Sequence, residues 1–206
     1  MRFRIIVFSI WSILLVSCKS NVVQTFHENG KLKEEYTLNN KNEKNGTYKS
    51  YSDEENLYEL AEYKNGLLVG KRILYHPNGK TEVIEQYNEE GKLHGVYQVF
   101  YDNGQLMTDK NYINNELEGE VRVYYKTGKL KEVVQFKDSQ ENGAFVEYFP
   151  NGQIQWKGTY LNGDNEFGDL EEYDSTGILI KKMICDSSAI CRSTWKIENY
   201  DEKYKN

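Results

Sequence analysis

The chain has 206 residues, 28% of them charged, and a formal charge of −6 at pH 7. Acidity of this size points away from nucleic acid, whose binders carry a basic face, and away from a polybasic membrane-surface patch. Seventeen tyrosines stand against eight phenylalanines and two prolines. That suits a thin β array, in which each ring packs on its neighbours and keeps its hydroxyl wet, better than a thick two-layer core.

Residues Met1 to Cys18 read as a targeting segment. Arg2 and Arg4 give a basic start, and the apolar run Ile5 to Leu15 is too short to span a bilayer as a mature helix. The segment ends in Leu15-Val16-Ser17-Cys18, which resembles the lipobox of bacterial lipoproteins. The resemblance implies cleavage before Cys18, a lipid on its sulfur, and stable anchoring by two or three acyl chains. Lys19, where an aspartate would favour the inner membrane, directs the expectation to the outer membrane, with the chain facing the periplasm or the cell surface. Cleavage removes two arginines and no acid, so the formal charge moves from −6 to −8. Residues 19–25 are expected to form a tether.

From Phe26 onward the chain repeats. One glycine series marks a turn after an aromatic residue: Gly30, Gly79, Gly104, Gly128, Gly152 and Gly177. Its steps are 49, 25, 24, 24 and 25, the first being two periods. A second series, Gly46, Gly70, Gly95, Gly119, Gly143 and Gly168, runs in step with it. Such spacing signals tandem units. Each unit reads as strand, loop, strand, turn. In the unit from Tyr101 to Tyr125 the strands cover Gln105 to Tyr112 and Glu120 to Tyr125, with a loop at Ile113 to Glu118. The turn Asp102-Asn103-Gly104 needs a residue at positive φ, which glycine adopts without steric cost. Units begin at Phe26, Tyr51, Tyr75, Tyr101, Tyr125 and Phe149, with a half unit from Tyr173. The second lacks its turn glycine at Asp53-Glu54-Glu55, and a wider loop is expected there. One hairpin cannot bury itself, so the copies must pack side by side. The expected fold is all-β, a row of tandem hairpins over 26–177 with a C-terminal cap and tail over 178–206.

Parity assigns the faces. Leu32, Thr81, Leu106, Leu130, Ile154 and Leu179 stand two residues after the turn glycine. Leu38, Tyr87, Tyr112, Phe136 and Tyr160 stand six further on, an even offset that predicts a shared face. In the second strands Tyr48, Tyr97, Val121, Phe145 and Leu170 recur at one position and are expected to stack as a ladder.

The units resemble the MORN-repeat variant family. The resemblance is carried by Asn29-Gly30-Lys31-Leu32, Tyr63-Lys64-Asn65-Gly66, Gly95-Val96-Tyr97 and Tyr101-Asp102-Asn103-Gly104, over roughly residues 26 to 177. It implies one elongated, single-layer antiparallel sheet that serves as a scaffold for proteins or membrane lipids. Bacterial proteins of this variant are often labelled the antitoxin component of a toxin–antitoxin module.

The C-terminal end departs from the repeat. Ile178, Ile180, Met183 and Ile184 put apolar residues on both faces, as a capping strand would. Trp195 and Ile197 alternate in a segment able to pair with it. With Cys18 assigned to lipid, Cys185 and Cys191 remain, and a disulfide closing this hairpin is expected in an oxidising compartment.

Catalytic signals are thin. His27, His76 and His94 fall in three separate repeats without metal-ligand spacing. The acids Asp164, Glu166, Asp169, Glu171, Glu172 and Asp174 lack the order of a calcium loop and read as a solvated edge. No nucleophile and base can be paired, so no cofactor, no metal and no enzymatic activity are expected. The expected function is that of a membrane-anchored lipoprotein whose repeat surface binds a protein or envelope component. The alternative is an antitoxin or immunity protein, and a carbohydrate-binding module would need an uncovered aromatic row.

Overall fold

The computed structural model describes residues 21–204. The targeting segment with Cys18 lies outside the described residues. Sixteen strands form one antiparallel sheet in chain order, with the short β9 (Glu116–Leu117) as a spur on β8 (Leu106–Ile113). The sheet stays open: β1 (Asn21–Phe26) lies at one edge and β16 (Cys191–Lys196) at the other. A single helical turn, α1 (Tyr200–Lys203), follows the last strand.

Several details differ from the sequence reading. Asn21 to Thr25 is strand, not tether, and pairs with β2 (Leu32–Leu38) from Asn21↔Leu38 to Phe26↔Leu32. Pairing with β2 satisfies backbone groups that a tether would leave to water. The loop expected at Ile113 to Glu118 is a two-residue reversal at Asn114 and Asn115, with φ of +52° and +75°. Two left-handed residues in succession match the twist of the flanking strands, and asparagine tolerates that region. The loop expected to widen at Asp53 to Glu55 keeps the geometry of its neighbours. Glu55 stands at φ +68°, and the Ser52–Asn56 and Glu55–Ser52 backbone bonds repeat those of the glycine turns. At the C-terminal end β15 (Leu179–Cys185) pairs with β16, as expected of the cap, and also with β14 (Gly168–Tyr173), so the cap continues the sheet.

The face assignment also changes. Each odd-numbered hairpin turn is followed by a register skip. Between β10 (Gly119–Tyr124) and β11 (Leu130–Lys137), Val123 pairs with Glu132 and Tyr124 with Leu130, leaving Lys131 as a bulge. The same skip falls at Lys33, Met107, Gln155 and Ile180. A bulge inverts the alternation, so Leu130 lies on the face opposite Phe136 rather than beside it. The ladder of second-strand residues holds. Tyr48, Val121, Phe145 and Leu170 are buried, at 3% to 8% exposure. They share a face with Tyr36, Ala61, Val134 and Met183 through direct cross-strand pairing.

Asparagine explains the turn motif. The side-chain amide of Asn103 donates to the Lys126 carbonyl at 2.9 Å, one turn further along the sheet, while its oxygen accepts from Gln105 N–H at 2.9 Å. Asn29, Asn78 and Asn151 do the same toward Asp53, Asp102 and Ser175. His27 and His76 donate from Nε2 to the Tyr51 and Phe100 carbonyls, and Tyr101 and Tyr125 donate their hydroxyls to the Tyr124 and Tyr148 carbonyls. Successive turns are therefore stapled to each other, and the two turn histidines are part of that staple.

All twelve glycines of the two series have φ between +64° and +126°. Gly104, at +89°, has room for a Cβ against Lys80 at 3.5 Å, so a larger residue meets backbone strain rather than a clash. Gly104→Val should therefore cost about 1–3 kcal/mol. Hydrogen exchange should quicken in β7 (Leu93–Phe100), β8 and β10 and stay unchanged in β2 and β3 (Lys44–Tyr51), since distant repeats share no contacts. Uniform acceleration along the chain would instead mark one cooperative core.

Candidate functional site

The core face differs between its two halves, and the difference is chemical. The aromatic or leucine eight residues beyond each first-series position pairs across the strand with the residue two before each second-series glycine. The pairs are Leu38↔Lys44, Tyr63↔Leu68, Tyr87↔Leu93, Tyr112↔Leu117, Phe136↔Glu141 and Tyr160↔Glu166. One structural position thus changes from lysine, through leucine, to glutamate.

In the N-terminal half the lysine fills an aromatic cage. Lys44 Nζ lies 4.8, 4.0 and 5.2 Å from the ring centres of Tyr36, Tyr48 and Tyr63. Lys110 sits in the same way over Tyr97 and Tyr112, at 4.4 and 5.5 Å. Between them Arg72 takes the ladder position of Tyr48 and Tyr97. Its Nε bonds Glu59 at 2.6 Å and its terminal nitrogen bonds Glu85 at 3.0 Å. The Tyr87 hydroxyl donates to Glu85 at 2.8 Å, and burial with this bond pushes the phenol up to about 12. Glu59 and Glu85 are thus paired within the face.

In the C-terminal half the aromatics remain, but among the described residues no cation lies over Phe145, Trp156 or Tyr160; Lys181 on the same face is taken up by Glu172 and the Tyr200 ring, and Lys131 is the cation whose charge reaches Glu132 and Glu147. Phe145 stacks on Tyr160 at 4.2 Å between ring centres, over a buried cluster with Val134, Leu170 and Cys185. Gly158 makes that closeness possible, since a Cβ there would come within 2.8 Å of Phe145 and 2.9 Å of Leu170. Trp156, Met183 and Cys191 complete the walls of a pocket of about 330 Å³, with Glu147 and Glu166 at its rim. Glu132 pairs directly opposite Glu147, and Glu147 is next to Trp156 on the following strand. Like charges directly opposite on one face are destabilising.

Glu132, Glu141, Glu147 and Glu166 are half-buried. None makes a side-chain hydrogen bond or ion pair among the described residues. Burial, reinforced by the Glu147 charge, raises the Glu132 carboxyl above its ordinary range. Burial raises Glu147 as well, with Glu166 adding to it and Lys131 opposing. For Glu141 burial leads, followed by the charges of Glu132 and Asp164. Burial and then all four carboxylates drive the Tyr160 phenol upward. A carboxyl raised in the folded state holds its proton more tightly there than in the unfolded chain. Its contribution to stability is therefore present in acid and lost as the pH rises through the raised value.

This site was not anticipated from the sequence, although the lysine-to-glutamate drift at a fixed place in the period could have pointed to it. The acids singled out there are divided instead. Glu171 is bound by Lys157 at 2.7 Å and Lys182 at 3.3 Å and receives the Tyr173 hydroxyl, which hold its carboxyl down near 2. Glu172 lies on the other face and receives the Tyr200 hydroxyl, and Asp174 caps its own turn through Thr176 and Ile178 N–H. Asp164, Glu166 and Asp169 do not join them in a cation site. Among the described residues Glu116, Glu118 and Asp138 are the one group of three whose carboxylate oxygens lie within 4.8 Å of one another. Cys185 and Cys191 pair in register and are joined by a disulfide. His94 lies near the start of β7, not in a loop, with Nδ1 3.2 Å from the Asn114 side-chain oxygen.

The arrangement offers rings and carboxylates with which it can bind. Curated proteins offer no match to the chain. The family described as MORN repeat variant matches it at residues 20–40, 44–65, 68–92, 93–114, 117–138 and 141–162, and the first of these spans covers the strand where a tether was expected. The matched spans follow the hairpins of the sheet one after another and cover well over half of the sequence, and the chain belongs to the MORN repeat variant family.

Proposed function

We propose that this protein is a lipid-anchored, non-enzymatic scaffold of the bacterial cell envelope whose sheet binds a protein partner. MORN repeats bring a repeat-based binding or scaffold role. The observation that carries the reading is the open sheet itself, with two accessible faces and an aromatic pocket whose carboxylates are unpaired among the described residues. Surfaces of this kind recognise extended partners, and affinity is gathered over many repeats.

The lipobox supplies the anchor. Only Lys19 and Ser20 separate Cys18 from the first strand at Asn21, so acylation of Cys18 would hold the array against the bilayer surface. Among the described residues no helix is long and apolar enough to cross a membrane. Cys18→Ala should abolish fatty-acid labelling and release the protein from the membrane fraction. Continued labelling, or retention after a carbonate wash, would refute the anchor. Cross-linking in intact envelopes, followed by mass spectrometry, tests the partner: a protein joined to the core face is expected, and cross-links to lipid alone would refute it.

A further inference from the structure

We propose that the pocket over Phe145, Trp156 and Tyr160 receives a lysine or arginine side chain presented by a protein partner. The inference rests on the scaffold reading and gives its partner a chemistry. The sheet contains its own reference for such a site. At Tyr36, Tyr48 and Tyr63 an aromatic cage of the same face closes on an ammonium, and the ammonium belongs to Lys44. At the equivalent positions of the C-terminal half the chain places Glu141 and Glu166, and among the described residues no cation lies over the rings, although the charge of Lys131 reaches Glu132 and Glu147 without bonding either. Rings remain to offer their negative faces to a cation.

The carboxylates make the same demand more strongly. Glu132 and Glu147 are held opposite one another on the core face, although other acids of that face have partners. Glu59 and Glu85 share Arg72, and Glu34 receives the Tyr48 hydroxyl at 2.8 Å. A like-charge pair that weakens the free protein becomes favourable once a cation lies between its members. A bare metal ion does not fit, because these four carboxylates do not converge as the Glu116, Glu118 and Asp138 oxygens do. The pocket of about 330 Å³ is walled by rings and by Met183, which suits a charge carried on an aliphatic or planar stem. The rim carboxylates would then bond the charged head.

The test uses the acylated protein in detergent at physiological salt, labelled for detection of the Trp156 indole N–H. The probe is the tripeptide acetyl-Gly-Lys-Gly-amide, with its Nε-acetylated form as the neutral control. The lysine tripeptide should shift the Trp156 signal in a saturable way, with a dissociation constant on the order of millimolar. The neutral control should bind roughly tenfold more weakly, and Glu147→Gln should weaken the lysine tripeptide to a similar degree, by loss of a charge-assisted bond. Without probe, Glu132→Gln and Glu147→Gln should resist urea at least as well as the parent, since each removes a repulsion. Equal binding of the neutral control would overturn the inference. So would shifts spread over the acidic surface without preference for Trp156, or saturation by phosphatidylethanolamine vesicles and not by the tripeptide. Failure of the scaffold reading looks different: the tripeptide still reports on Trp156, while no envelope protein cross-links to the sheet.

Discussion

Arg72→Met should destabilise the array by about 3 kcal/mol. The arginine occupies a ladder position otherwise held by Tyr48, Tyr97, Val121, Phe145 and Leu170, and it is there because Glu59 and Glu85 flank it. Their side chains are only 13% and 10% exposed. Methionine preserves much of the volume but leaves two carboxylates facing each other in a half-dry site. Breaking such a triad from one side costs more than the triad itself contributes, because the remaining charges lose their partner and do not regain water. Two further measurements make the expectation specific. Part of the loss should return at high salt, which screens the repulsion between the two carboxylates. Replacing all three residues with apolar ones should return most of the stability, since the flanking row of tyrosines can pack against them. If Arg72→Met unfolds in urea like the parent at neutral pH, the triad is a surface ion pair of little consequence.

Phe145→Ala is expected to cost about 3 kcal/mol. Phe145 is 3% exposed, stacks on Tyr160 and packs with Val134, Leu170 and Cys185. Among the described residues no second layer lies over this face to collapse into the gap, so the lost contacts are not replaced. The damage should be regional. Exchange should quicken from β11 to β15, including β12 (Gln140–Tyr148) and β13 (Ile154–Tyr160), and remain slow in β2 and β3. The lysine tripeptide should also lose its saturable effect on Trp156, because the ring that floors the pocket is gone. Uniform exchange along the chain would contradict the repeat-by-repeat account of stability.

Much of the architecture was legible because it is local. A glycine at positive φ is demanded by each hairpin turn, and turns recur at the spacing of two strands, so the two series read out the hairpins directly. Cross-strand neighbours in a meander are also neighbours in the period, which is why Tyr48, Val121, Phe145 and Leu170 could be aligned by counting. The same counting lands on Arg72, 24 residues from Tyr48, but a charge in an apolar ladder makes sense only once Glu59 and Glu85 are seen on either side. The cysteine pair fell within one hairpin and was equally local.

The sheet decided the rest. A one-residue bulge after alternate turns leaves no mark on the apolar pattern, yet it moved Leu130 and its equivalents to the other face. Glu55 serves in place of a glycine in a turn that His27 and Asn29 staple from one side and that the Ser52 hydroxyl closes by accepting from the Glu54 and Asn56 N–H groups. Gly158 belongs to neither glycine series, and its role appears only where Phe145 and Leu170 close over it. The opposition of Glu132 and Glu147 exists only in the pairing of β11 with β12. Residue type and spacing determined that this chain is a row of hairpins. Which charges face each other across that row, and so where a cation would be welcome, depends on register, because register alone sets the distance between residues on different strands.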